Sequence, residues 1–457
     1  MTISVLSTCA PEQPVCHDEL EDVFRRAETP ESQWRIGTEA EKFGIDATTA
    51  APLGYDGPRG VLRVLEALRA SHGWVPLRES ADGPIIALTR EAASVTLEPG
   101  AQLELSGAPL ADLHETEAEM RGHLRELSAI SAELNLAWLA VGFHPLATQA
   151  ELPWVPKKRY GIMREYLPTR GDGALDMMRR TATVQVNLDF GSESDALDKL
   201  RVALRISPII QAMTANSPFY EGRLAERRSM RGQVWLRMDP ERSGLIPALW
   251  NEGQLGYRDY VEWALDAGMF LFKRGDQIIA NTGQSFRSFM RHGYHGHRAT
   301  LDDWQLHLNT LFPEVRLKKT IEARACDSLP ASLSGSIPAL FTGILYDRRA
   351  LEAAWELLAP YSYEQVMLAR PDLVAHGLHG TLAGRPVQDL AERLFDIAAS
   401  GLERRGRLDA RGQDERVHLR RLGVLLQSGR TPADVLTEGL SDGDGDLAIE
   451  LVARTRT

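Results

Sequence analysis

Between Thr181 and Phe190 the chain reads TATVQVNLDF, and polar and apolar residues alternate along it. Thr181, Thr183, Gln185, Asn187 and Asp189 take one set of places; Val184, Val186 and Leu188 take the other. Successive side chains of a strand point to opposite faces, so this segment is a strand with one polar and one apolar side. Its polar side carries hydroxyl and amide groups, which suits it to line a polar pocket.

Three other segments repeat the design. Gln33–Asp46 (QWRIGTEAEKFGID) reads as a strand with Glu39 and Glu41 on one face. Residues 84–106 read as two strands around the turn at Glu98-Pro99-Gly100, with Gln102, Glu104 and Ser106 sharing a face. Val315–Ala325 reads as one strand, followed by Cys326; it places Glu322 and Arg324 side by side. Taken singly, each is most simply a solvated or ion-paired strand face. Taken together, they describe a sheet with helices on one side and Glu, Gln, Asn and Arg on the other. Carboxylate oxygens and phosphates are what Mg²⁺ prefers, and Arg recognises phosphate and carboxylate. Two carboxylates on one face repel each other unless a cation lies between them.

The rest of the chain supplies helices. The spacing predicts them at His17–Ala27, 58–71, Asp112–Asn135, Ala196–Ala215, Tyr257–Ala267 and Leu301–Leu311, and almost throughout from Ile337 onward. Short strands are expected at Ala137–Phe143 and Met269–Phe272. No repeat or linker divides the 457 residues. The expectation is a flexible arm over residues 1–16, then one catalytic domain over 17–457 with a helical C-terminal region.

Several functions are excluded or disfavoured. A formal net charge of −11 argues against a nucleic-acid partner held by general basicity. Three cysteines without CxxC spacing are neither a disulfide framework nor a cysteine zinc site. GxxxxGK[ST] and HExxH are absent. The N-terminus lacks signal-peptide character and no apolar run is long enough to span a membrane, so a soluble, cytoplasmic protein is expected, with no membrane partner. His292, His295 and His297 could bind a transition metal, but their flanking glycines favour a surface loop.

Seven motifs in order carry a family resemblance: GTEAEKFG (37–44), LEPGAQLELSGAPL (97–110), RYGIMREYLP (159–168), LDMMRRTATVQVNLDF (175–190), NSPF (216–219), SMRGQVW (229–235) and FPEVRLKKTIEAR (312–324). Together they resemble the plant and proteobacterial type of glutamate–cysteine ligase over nearly the whole chain. That resemblance implies an α+β, glutamine-synthetase-like fold: a curved, largely antiparallel sheet forming a funnel, surrounded by helices. It implies ATP and Mg²⁺ as cofactors and glutamate and cysteine as substrates, joined through γ-glutamyl phosphate, in a monomer or homodimer. By the same resemblance Glu39, Glu41, Glu98, Glu104 and Glu322 are metal ligands. Gln185 and Asn187 sit at the metal–phosphate end, and Thr181 and Thr183 line the pocket. Arg324 serves the transferring phosphoryl group, with Glu322 and Arg231 also in the catalytic set. Arg159, Arg164 and Arg231 are candidates for substrate carboxylates or ATP phosphates.

The chain departs from the family pattern where plant enzymes carry their two redox cysteines. It reads Asn281-Thr282-Gly283 at one place and SLPASLSGS (328–336) at the other, so no such switch is expected. The second segment also replaces the family's GGPW run, which leaves open a different amine acceptor for the same chemistry, or a non-catalytic relative that binds ATP or glutamate. Cys326 stands in RACD where the family usually has RGAD, and a small buried side chain is the simpler reading.

Overall fold

The computed structural model describes residues 14–440 and 447–456. Cys9 and most of the expected N-terminal arm lie outside the described residues. Val15 is anchored, its amide donating to the Ala299 carbonyl at 2.9 Å.

Among the described residues, nine strands form the main sheet: β1 (Ile36–Asp46), β2 (Val75–Arg78), β3 (Ile85–Arg90), β4 (Ala93–Leu97), β5 (Leu103–Ser106), β6 (Leu136–Leu139), β7 (Val184–Leu188), β8 (Val315–Leu317) and β9 (Ile321–Ala323). Their order is β8-β9-β7-β1-β5-β4-β3-β2, with β6 paired to the far end of β1. Every pairing is antiparallel. β1 is the organising strand: residues 36–40 pair with β7, 39–42 with β5 and 43–46 with β6.

The apolar side of the sheet carries two cores. Ile36, Val184, Val186, Leu188, Val315 and Ile321 pack with the helices Glu193–Met213 and Ser336–Leu345. Leu88, Val95, Leu97, Leu103 and Leu105 pack with the helices Val61–His72 and Leu113–Leu134. The last of these ends where its sequence dictates. The Asp112 side chain accepts from the Glu115 amide at 2.9 Å, and Asn135 closes the helix with φ 56°. Among the described residues, no helix is long and apolar enough to cross a membrane.

Two expectations are corrected. Residues 84–106 form three strands, because Glu91 takes the left-handed conformation (φ 52°) and turns β3 into β4 without glycine or proline. The segment 315–325 is a hairpin rather than one strand: the Lys318 amide donates to the Thr320 carbonyl at 2.9 Å and the chain reverses. The second reversal reshapes the polar face, since it lays Arg316 directly opposite Glu322.

Candidate active site

Strand register assembles the polar face. Glu41 lies opposite Glu104 and Glu39 opposite Ser106 across β1 and β5. Glu39 is opposite Gln185 across β1 and β7, and Glu322 opposite Asn187 across β9 and β7. Residues facing one another across an antiparallel pair project to the same side, so these groups share one surface.

Hydrogen bonds tie neighbouring strands together there. The Asn187 amide donates to Glu39 Oε1 at 3.0 Å and accepts from the Thr320 hydroxyl at 3.0 Å. The Thr183 backbone N–H donates to Glu41 Oε2 at 3.0 Å, and Thr96 Oγ1 to Glu104 Oε2 at 2.5 Å. Arg324 Nη1 donates to Gln185 Oε1 at 2.6 Å and Glu322 Oε1 at 2.5 Å.

The charges fall into two zones. In the acidic zone, burial pushes the Glu41 carboxyl well above its ordinary value, and Glu104 and Glu98 push it further. Glu39 is raised by burial, with Glu322 and Glu104 adding repulsion. In the basic zone, burial alone would raise Glu322, but Arg316, Lys318 and Arg324 override it and hold the carboxyl well below its ordinary range.

The Glu322 carboxylate sits among three cations. Oε1 accepts from Arg316 Nη2 at 2.8 Å and Arg324 Nη1 at 2.5 Å. Oε2 accepts from Arg316 Nε at 2.9 Å and faces Lys318 Nζ at 2.6 Å. A carboxylate offers about four lone-pair directions. All are occupied in this arrangement, so Glu322 gathers three cations.

The other expected residues divide. Glu98 sits at the turn before β5, where the Ala101 amide donates to its carbonyl at 2.9 Å. That turn presses on the chain beneath: a Cβ on Gly100 would lie 2.4 Å from the Arg179 carbonyl oxygen. Arg159 donates to the Tyr160 hydroxyl at 3.0 Å, and that hydroxyl reaches Glu98 Oε1 at 3.5 Å, so Arg159 belongs to the acidic zone's rim. Arg164 is exposed and lies over the Trp154 ring, 5.3 Å from its centroid, outside the cluster. Thr181 and Thr183 donate their hydroxyls to the carbonyls of Met177 and Cys326, both at 2.7 Å. Arg231 donates to the carbonyls of Ala325 at 2.7 Å and Arg324 at 2.8 Å. It therefore fixes the chain that carries Arg324, while also lining a recess of about 310 Å³ with Trp235, Phe312 and Arg324.

Arg316 and Lys318 escaped the sequence reading. Their signal was present: in VRLKK they alternate, as Glu322 and Arg324 do two places apart. Lys157 was missed too. Its Nζ donates to the Leu97 carbonyl at 2.6 Å beside the Glu98 turn, and burial lowers its pKa to about 8.

The acidic zone fits a hard divalent cation in the chemistry of its donors, because several carboxyls crowd one another on a single face. Among the described residues, no three His, Cys, Asp or Glu side chains form a ready metal cage. Mg²⁺ does not require one, since it is commonly held by one or two carboxylates together with water and substrate phosphates. His292 is exposed at the end of the helix Phe286–His292, and His295 is exposed on the turn that follows it. Cys326 is buried, and burial pushes its thiol up to about 12.

Comparison with known proteins converges. A family model described as glutamate–cysteine ligase family 2 matches residues 35–452. Glutamate–cysteine ligase B, chloroplastic, of Oryza sativa subsp. japonica is 40% identical over 410 residues, covering 89% of this chain and 80% of its own. Glutamate–cysteine ligase, chloroplastic, of Medicago truncatula is 37% identical over 429 residues, covering 93% and 82%. A crystal structure of glutamate–cysteine ligase from Francisella tularensis in complex with AMP superposes with a TM-score of 0.56 at 12% identity, over 92% of this chain and 87% of the other. At that identity the likeness concerns the fold, and it bears out the glutamine-synthetase-like α+β class. The names of the plant relatives overturn the expected cytoplasmic location: they are chloroplastic. That expectation rested on missing signals, which do not locate a chain.

Proposed function

Because the chain belongs to glutamate–cysteine ligase family 2, we propose that the polar face of its sheet is where it joins glutamate to cysteine, with the acidic and basic zones dividing the work. The activity of the family is the ATP-dependent ligation of the glutamate γ-carboxylate to the amine of cysteine, giving γ-glutamylcysteine. The arrangement that carries this reading is the row of Glu39, Glu41 and Glu104 beside a cluster of Arg316, Lys318 and Arg324 held by one buried glutamate.

Glutamate and ATP are both anionic and must be brought together. Glu39, Glu41, Glu98 and Glu104 would hold Mg²⁺, which screens the phosphates and spreads the charge of the transferring group. On the other side, Arg324 presents a guanidinium whose direction is set by Glu322 and Gln185. It is poised to stabilise charge on the phosphoryl group as the γ-carboxylate oxygen attacks and ADP leaves. The cysteine amine then attacks the carbonyl carbon of γ-glutamyl phosphate, the C–O bond to phosphate breaks, and the amine loses a proton. Holding both partners in one site makes this second step effectively intramolecular. Asn187 keeps Glu39 in place, and Arg231 anchors the strand end bearing Arg324. Residues 17–457 work as one catalytic domain, since the face draws on strands from β1 to β9.

The test is ADP release with Mg²⁺, ATP, glutamate and cysteine, with the product identified by mass spectrometry. Cysteine-dependent ADP release with γ-glutamylcysteine formed supports the reading. Efficient turnover with another amine and none with cysteine would reassign the acceptor, and no turnover at all would refute it.

A further inference from the structure

The strand pair that carries Arg324 continues one residue beyond β8 and β9. The Arg324 amide donates to the Glu314 carbonyl at 2.9 Å, the next step in register after Val315 opposite Ala323. Residues facing one another across an antiparallel pair project to the same side. Glu314 therefore joins Arg316 and Glu322 on the polar face, and it lines the same recess as Arg324. Arg324 thus has a carboxylate on either hand. Glu322 holds it at 2.5 Å; Glu314, directly opposite, does not. Glu314 Oε2 and Arg324 Nε are both buried and have no hydrogen-bond partner among the described residues.

Arg370 accounts for the difference. It comes from the helix Tyr363–His376, and its Nη2 donates to Glu314 Oε1. Arg370 is 5% exposed and Glu314 8%, so water does little to screen the pair. The backbone leaves space for the guanidinium. Gly244 takes φ 81°, a Cβ there would lie 3.4 Å from Arg370 Nη1, and the Gly244 carbonyl accepts from the Glu314 amide at 2.9 Å. Arg231 lines the recess too, but it spends both terminal nitrogens on the carbonyls of Ala325 and Arg324. A buried carboxylate stripped of its cation is costly, and it draws the next cation within reach. For Glu314 that cation is Arg324, which has an N–H to spare.

We propose that Arg370 is a positioning residue for the ligation: by occupying Glu314 it leaves Arg324 seated on Glu322 and Gln185, turned toward the transferring phosphoryl group. Arg370 acts through Glu314 and Arg324 rather than on substrate. The inference rests on the role proposed above for Arg324. It gives the C-terminal helical region a part in the chemistry, because one of its helices supplies the cation that decides which glutamate Arg324 takes.

The experiment is steady-state ADP release with Mg²⁺, ATP, glutamate and cysteine, paired with thermal melting, on the full chain as wild type, Arg370→Met and Arg370→Met/Glu314→Gln. In Arg370→Met, kcat should fall by at least about tenfold, within the ~100-fold that a ~1 Å misplacement costs, while KM for each substrate moves by less than about threefold. Removing the competing charge in the double variant should bring kcat back to within about threefold of the wild type, whatever its melting temperature. If Arg370→Met fails to fold, Arg370→Gln, which keeps one donor for Glu314, replaces it in both comparisons. No turnover by the wild type refutes the ligase reading and this inference with it. With an active wild type the variants judge Arg370 alone. An unchanged kcat, even with a lower melting temperature, makes the pair purely structural and overturns the proposal, and so does a loss of kcat that Glu314→Gln does not reverse.

Discussion

Two Glu→Gln substitutions on the same sheet face should change stability in opposite directions. Glu322 is fully buried and holds Arg316 through two hydrogen bonds, with Lys318 and Arg324 completing the cluster. In Glu322→Gln three buried or half-buried cations lose their shared anion, and the new amide N–H₂ faces them as a further donor. Breaking a buried pair from one side costs about 3–5 kcal/mol. With a guanidinium m-value of about 6 kcal/mol/M for a chain this long, the denaturation midpoint should fall by ~0.5–0.8 M. Arg324 also loses one of its two side-chain anchors, and misplacing such a group by ~1 Å costs about 100-fold in kcat. Glu41→Gln is the counterpart. Its carboxyl is destabilised by burial and by Glu104 and Glu98, so removing the charge should leave the metal-free protein as stable as the wild type or more so, while ligation is lost. The assay is equilibrium denaturation without divalent cation, paired with ADP release. If both variants lose stability alike, or if Glu322→Gln keeps its midpoint, the division into an acidic and a basic zone is wrong.

Four other outcomes follow from the same geometry. Mg²⁺ should raise the melting temperature of the wild type and leave that of Glu39→Gln/Glu41→Gln unmoved, as scanning fluorimetry would show. Without divalent cation, the raised Glu39 and Glu41 carboxyls stabilise the fold only while they keep their protons. Their contribution is therefore lost as pH rises from the ordinary value of 4.5 through their folded values, and the double variant should show a shallower decline of melting temperature with pH. Gly100→Ala forces a Cβ against the Arg179 carbonyl, so it should cost about 1–3 kcal/mol in denaturation and raise the Mg²⁺ concentration needed for half-maximal turnover, because the Glu98 turn must shift. Cys326→Ala should keep kcat within about twofold, and wild-type activity should not respond to reductant, because the buried thiol stays protonated.

What could be read in advance was what alternation encodes. β1 and β7 announce both faces in their own residues, and the helix Leu113–Leu134 announces its caps. The reversals at Glu91 and at Lys318–Thr320 were not legible, because neither contains glycine or proline and tertiary pairing imposes them. Missing the second hid Arg316, which meets Glu322 only once the chain has turned back. Glu39, Glu41 and Glu104 could be placed from spacing, since their partners lie in strands with clear alternation. Arg159 and Arg164 could not be ranked, because the helix Lys158–Tyr166 lacks a strong apolar stripe and only its seating against Glu98 separates them. Family resemblance named Glu322 but not its occupied lone pairs, which follow from packing.

The central place of β1 also governs how the molecule is born. Its partners are residues 103–106, 136–139 and 184–188, and the basic cluster waits for residues 315–324. During synthesis the acidic strand emerges early; its end at residues 44–46 pairs locally with residues 51–53, but its neighbours in the main sheet begin only at Leu103, 57 residues beyond Asp46. Such long-range pairing is slow to form and leaves sheet edges exposed meanwhile. The paired carboxylates proposed to hold Mg²⁺ also repel one another on the nascent chain, and strand edges carrying charge are poor templates for aggregation. A substitution that neutralises them can thus yield a more stable native protein that reaches its native state less often, visible as a lower refolding yield at raised protein concentration.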